Sequence, residues 1–119
     1  MNIHSIGILL FMLLSFNMSA QPSVEDLKGT WKGWDKLIKI YEDNNGLQGI
    51  YVDESGEQSQ KERVLHDLVK KNNKWLGKSY SKKRNKSTKT EFTLISPGKL
   101  KVKLIIGLFS KSFIWKKID

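Results

Sequence analysis

The chain has 119 residues, with 21 Lys and Arg against 12 Asp and Glu, a net charge of +9, and no cysteine. That composition excludes a disulfide scaffold, a thiolate nucleophile and a lipid anchor on cysteine. The length suffices for one small core and not for two.

The charge is spread unevenly. Residues 21–69 hold six Lys and Arg against ten Asp and Glu, a net of −4, whereas residues 70–119 hold fifteen against two, a net of +13. Such polarity steers a domain toward an anionic partner; the bland alternative is a solvated surface that keeps the domain soluble.

Ile6 to Phe16 is an apolar run, followed by Asn17-Met18-Ser19-Ala20 and Gln21-Pro22. This is the pattern of a secretory signal with cleavage after Ala20, and the run is about half the roughly 20 apolar residues that a membrane span needs. A signal peptide over residues 1–20 and a single domain over residues 21–119 are therefore expected, in a protein that is exported, either periplasmic or secreted. Export argues against nucleic acid as the partner and leaves anionic envelope lipid or an acidic protein.

The mature part opens with Pro22-Ser23-Val24-Glu25-Asp26-Leu27-Lys28-Gly29. Ser23 is a candidate N-cap, acids follow in the first turn and glycine stops the run, which predicts one turn of helix. Gly29-Thr30-Trp31 comes next, a glycine that permits a tight backbone path and an indole able to plug one end of a small barrel. A strand is expected to begin at Trp31 and to be interrupted at Gly33, where glycine inside a strand marks a bulge or bend. Lys36 to Glu42 alternates, Asn44-Asn45-Gly46 is a strong hairpin turn, and Leu47 to Val52 returns as the partner strand.

Asp53 to Gln60 is a polar loop. Beyond it, Ser59 and Glu62 have capping-box spacing and Val64, Leu65, Leu68 and Val69 fall at helical intervals. A short helix over residues 61–71 is the first reading, and a strand from Arg63 to Val69 is the alternative. Strands follow at 75–80, 88–95, 100–104 and 109–118, separated by the basic loop 81–87, by Ser96-Pro97-Gly98-Lys99 and by Gly107. Seven or eight short antiparallel strands with one or two short helices give an all-β, up-and-down barrel of lipocalin-like design. The closing strand would pair with the first and bring Trp115, Lys116 and Lys117 back toward Trp31, with cationic side chains across the indole face.

Gly29-x-Trp31 after a short helix, Trp75-x-Gly77 followed by Tyr80, and the block Leu100-Lys101-Val102-Lys103, Gly107-Leu108-Phe109 and Trp115-Lys116-Lys117 together resemble the exported DUF2147 family over nearly all of residues 24–118. The resemblance implies a lipocalin-like (calycin-like) barrel and export, and supplies no activity. An Asp-x-x-Asn-Pro segment expected of that family is absent, and Lys116 or Lys117 stands where the family tends to carry arginine, which lysine does not replace as a stacking group.

Catalysis finds little material. The mature part holds one histidine, His66, beside Asp67, with no serine elbow. One histidine and no cysteine make a tetrahedral zinc site unsuitable, the acid pairs Glu42-Asp43 and Asp53-Glu54 sit beside turns, and the glycines are scattered singly, so neither enzyme nor cofactor is expected. Binding finds more. Aromatic side chains are numerous, a barrel of eight strands is just wide enough to be filled or to hold one small ligand, and Lys82, Lys83, Arg84 and Lys86 form a cationic loop suited to an anionic group. The expectation is a monomeric binding protein for a small apolar or amphipathic ligand. The rival is an envelope module with a filled core that docks on an anionic lipid or protein surface through its basic half.

Overall fold

A computed structural model describes residues 22–119. The leader expected over residues 1–20, its cleavage site included, lies outside the described residues. A single helical turn, α1 (Val24–Leu27), precedes eight strands: β1 (Gly29–Gly33), β2 (Lys36–Asp43), β3 (Gly46–Val52), β4 (Gln58–Lys71), β5 (Lys74–Ser81), β6 (Lys86–Ser96), β7 (Lys99–Ile106) and β8 (Phe109–Lys117). Each strand pairs antiparallel with its sequence neighbour and β1 pairs with β8, so the sheet is a closed up-and-down barrel. Closure removes the sheet edges that a domain without disulfides would otherwise expose.

The two ends of the barrel differ. At one end Ser23 caps α1, with the Asp26 carboxylate accepting from the Ser23 amide at 2.8 Å, and α1 drives Leu27 into the core. Trp31 is fully buried, and its indole N–H donates to the Leu27 carbonyl at 2.8 Å. Of the three fully buried tryptophans only Trp31 has an acceptor; the N–H groups of Trp75 and Trp115 have none among the described residues. The seam pairs Trp31 with Lys117 and Lys32 with Lys116. It is extended by Ile118, whose amide donates to the Thr30 carbonyl at 2.8 Å, and by the Asp119 carboxylate, which accepts from the Thr30 amide at 2.6 Å. Lys117 Nζ lies 5.9 Å from the Trp31 ring centroid, the expected cation over the indole, while Lys116 points into solvent.

Trp31, Ile38, Leu47, Leu65, Leu68, Trp75, Phe92, Leu100, Val102 and Trp115 fill this half of the interior. β1 ends at Gly33 and is not interrupted there: Gly33 lies flat against the Trp115 indole, and a Cβ at that position would overlap the ring. The chain then reverses through Trp34 and Asp35, both at positive φ (53° and 59°), which is the geometry of a type I′ hairpin.

The helix expected over residues 61–71 is absent; that segment belongs to β4. The reason is a set of bulges. The pairing of β4 slips against β3 between Leu68, Leu65, Arg63 and Gln58, and against β5 between His66 and Val69. Each extra residue resets the in-out alternation, so Val64, Leu65 and Leu68 all point inward at spacings that imitate a helix, while Val69 is 60% exposed. The bulge at Asp67, φ 52°, is held by Gln48. Its amide group donates to Asp67 Oδ1 (2.7 Å) and Asp43 Oδ1 (3.1 Å), and its oxygen accepts from the Asp67 amide (3.0 Å), so this fully buried polar side chain is satisfied.

Asp43 also accepts from the Asn45 amide at 2.8 Å and faces Arg63 at 3.7 Å; the Asn45 hydrogen bond is the main cause that holds its carboxyl below the usual carboxylate range. Asp53 is likewise held low, chiefly by the Ser55 hydroxyl at 2.6 Å and by the Glu57 amide at 3.1 Å.

Two outcomes follow. Trp31→Ala removes the plug and should cost about 3–5 kcal/mol as a large aromatic deletion, measured by urea denaturation; a midpoint within error of wild type would refute it. Folding lowers the Asp43 and Asp53 pKa values, so their contribution is complete above the ordinary carboxyl value of about 4 and is lost as pH falls through the depressed native values. Melting curves should therefore show Tm falling below about pH 4, and Asp43→Asn/Asp53→Asn should lower Tm at neutral pH while flattening that acid decline.

Candidate mouth cavity

Because strands alternate in direction, the turns at 34–35, 53–57, 82–85 and 107–108 gather at the end opposite the Trp31 plug. There the core stops short and leaves a cavity of about 670 Å³, within the range of about 300–1,000 Å³ typical of small-molecule sites. Its apolar walls are Trp34, Tyr51, Val64 and Leu104. Trp34 stands edge-on to Trp115 at 4.8 Å and to Phe113 at 5.9 Å, so it forms the boundary between the packed core and the open mouth. A tryptophan at positive φ is uncommon, since type I′ hairpins select Asn and Gly; the ring contacts hold it there.

The polar part of the wall has two components. Below the rim, buried Ser79 and Thr90 share a hydrogen bond of 2.8 Å between their hydroxyls, and Thr90 reaches the Thr88 carbonyl at 2.8 Å. Ser79 and Thr88 face the cavity. Around the cavity stand Lys36, Arg63, Lys82, Lys83 and Arg84, five cations, with Glu62 the one carboxylate among the lining residues and Arg63 also within 3.7 Å of Asp43. Lys36 Nζ sits 4.8 Å from the centroid of the Tyr51 ring, whose phenol is pushed above its ordinary pKa by burial. The cationic loop is braced. Asn85 adopts φ 49°, its amide donates to the Lys82 carbonyl at 3.2 Å, and its side-chain oxygen accepts from the Tyr80 hydroxyl at 2.7 Å. These bonds fix the backbone of the turn, while the side chains of Lys82, Lys83 and Arg84 stay exposed.

Three of the four expected loop cations, Lys82, Lys83 and Arg84, line this cavity; Lys86 lies outside it, in a small cleft of about 180 Å³ between β6 and the end of β7. Gly29, Trp31, Lys116 and Lys117 lie at the packed end, away from the mouth, and Trp115 lies in the core directly beneath Trp34 without lining the cavity. His66 is spoken for by its neighbours: its Nε2 lies 3.0 Å from the Arg63 carbonyl, and the adjacent Asp67 carboxylate is taken by Gln48. Among the described residues no group of three or more His, Asp and Glu side chains is gathered to hold a metal ion.

Lys36, Tyr51, Arg63 and Leu104 entered the site through strand register, not through any local motif. Trp34 carried a signal that was available: two residues, Trp34-Asp35, lie between alternating segments after a glycine, the spacing of a two-residue hairpin.

Comparison with protein-family models, with characterised proteins and with solved structures gives no match. The site is therefore defined by its own geometry.

Trp34→Asn separates the ring from the turn, because asparagine suits a type I′ position. The variant should keep its melting temperature within a few degrees, as expected when relief of backbone strain offsets a partly exposed aromatic contact, and should lose occupancy of the mouth in a ligand titration. A variant that binds as wild type would remove Trp34 from the site.

Proposed function

We propose that this protein is a non-catalytic binding protein of lipocalin-like design that takes a small amphipathic anion into the barrel mouth. The observation that carries the reading is the pairing of an apolar cavity of about 670 Å³ with a lining that holds five cations, of which Arg63 is shared with Asp43, and one carboxylate. An apolar tail would displace water from Trp34, Tyr51, Val64 and Leu104, a gain of about 25 cal/mol per Å² of apolar surface covered. An anionic head would remain at the rim, where Lys82, Lys83 and Arg84 meet it as charge-assisted donors. The plugged lower half of the barrel limits how deep a tail can travel, which favours short or bent chains.

The same reading includes an exported protein that acts as a monomer once the leader over residues 1–20 is removed. Kinship with the DUF2147 family is proposed on the residues that resemble it and on barrel topology.

The test is a tryptophan-fluorescence titration with dodecanoate and with dodecanol, both below their aggregation concentrations. Dodecanoate should bind more tightly than the uncharged alcohol by at least about tenfold, corresponding to roughly 1.4 kcal/mol. Lys82→Gln/Lys83→Gln/Arg84→Gln should erase the preference and keep the alcohol affinity. Equal binding of both compounds by the wild-type protein, or binding of neither, would overturn the proposal.

A further inference from the structure

The mouth cavity does not account for the most exposed apolar residues of the domain. β7 and β8 run together to the mouth end of the barrel, pairing Leu104 with Lys111, Ile105 with Ser110 and Ile106 with Phe109, and turn at Gly107 with φ 62°. The tip carries Ile106, Leu108 and Phe109, which are 39%, 100% and 80% exposed. Two large apolar side chains held almost wholly in water on a tight turn are a cost that core packing does not explain.

The surroundings say what covers them. The small cleft at the foot of the tip is walled on one side by Ile105, Ile106 and Gly107 and on the other by Arg84, Lys86 and Lys89, so the cationic loop and the apolar tip are adjacent. Lys103 and Lys111 stand on the same hairpin. Residues 70–119 contain two carboxylate side chains. Glu91 faces Lys74 at 3.4 Å, and Asp119 is bound to the Thr30 amide at the plugged end. The acids of the same rim, Asp53, Glu54 and Glu57, lie on the β3–β4 loop, four strands away in a ring of eight and so on its far side. One side of the mouth is thus apolar at its tip and cationic behind it, whereas on the opposite side Asp53, Glu54 and Glu57 stand beside Lys36 and Arg63.

We propose that the β7–β8 hairpin is a membrane-docking element. Leu108 and Phe109 enter the headgroup and acyl boundary of an anionic bilayer, and Arg84, Lys86 and Lys89 settle on its phosphates. An apolar wedge backed by Lys and Arg is the arrangement by which peripheral proteins combine burial with electrostatic attraction. The tip is too small for a stable protein interface, which covers about 800 Å² on each partner. The β3–β4 acids tilt the docked barrel, so that its β5–β8 side meets the lipid. In this pose the cavity mouth opens beside the bilayer surface. The inference does not rest on the cavity's being loaded.

The test is co-sedimentation of the mature domain with vesicles of phosphatidylglycerol and phosphatidylcholine in equal parts, and with vesicles of phosphatidylcholine alone. Wild type should bind the anionic vesicles at least about tenfold more tightly. Leu108→Ser/Phe109→Ser should lose at least about tenfold of that affinity. Its melting temperature and its dodecanoate titration should be unchanged, because neither residue lines the mouth cavity. Lys86→Gln/Lys89→Gln should weaken binding and flatten its dependence on salt. The proposal is overturned if the tip variant sediments as wild type does, if both vesicle types bind equally, or if the tip instead holds two copies of the chain together, seen as a dimer in sedimentation velocity that the tip variant abolishes. Because dodecanoate and vesicle binding are read separately, failure of one leaves the other standing.

Discussion

The indole of Trp31 decides whether this chain is a barrel or a curled sheet. It sits where α1 crosses the end of the strands, wholly buried, and its N–H reaches the Leu27 carbonyl at 2.8 Å. That one bond joins the helical turn to the first strand and satisfies a donor that would otherwise be stranded in an apolar interior. The first strand is short, and its pairing with the last covers two residue pairs. The seam is therefore held as much by what lies on either side of it as by its own ladder: Lys117 over the indole, Ile118 on the Thr30 carbonyl and Asp119 on the Thr30 amide. A closed ring needs all eight junctions, and this is the one with least backbone in it.

Closure at that end sets the character of the other. Strands of fixed tilt enclose a nearly constant cross-section, so the question is only how far up the side chains fill it. Trp31, Trp75, Phe92 and Trp115 occupy the lower interior, and Trp34, turned back from a strained hairpin, is the last ring in the stack. Above it the small side chains of Ser79 and Thr88 stand among Tyr51, Val64 and Leu104, and empty volume begins. The rim cations come from three separate places in the chain, β2, β4 and the β5–β6 loop, and the register of the sheet assembles them. Mouth and plug are consequences of one closed topology.

The alternating segments and their turns were legible in the residues. In Asn44-Asn45-Gly46 the glycine supplies the positive φ (126°) that the hairpin needs, and Leu100, Val102 and Leu104 alternate cleanly against lysines. The plug was legible too, because a glycine two residues before a tryptophan has few other uses at the start of a small domain. β4 was not. Its bulges place Val64, Leu65 and Leu68 on the interior at spacings that a helix would also give, and no local feature separates the two until Gln48 on a neighbouring strand is seen to hold Asp67 in its left-handed conformation. The site was half legible. Lys82, Lys83 and Arg84 advertise themselves as a run of charge, whereas Lys36, Tyr51 and Arg63 join them only through pairings that no sequence window contains. Lys86, two residues beyond Arg84, falls outside the cavity because the chain has already turned into β6.

The claim on which the rest depends is that β1 and β8 are joined in solution. Hydrogen exchange at the Ile118 amide measures this directly, since its acceptor is the Thr30 carbonyl across the seam. In a closed barrel that amide should be protected to nearly the same degree as those of the β6–β7 ladder, and Trp31→Ala should abolish its protection first. Exchange of the Ile118 amide at the rate of an unstructured peptide, with the β6–β7 ladder still protected, would mean that the ring is open, and the account of plug and mouth would fail with it.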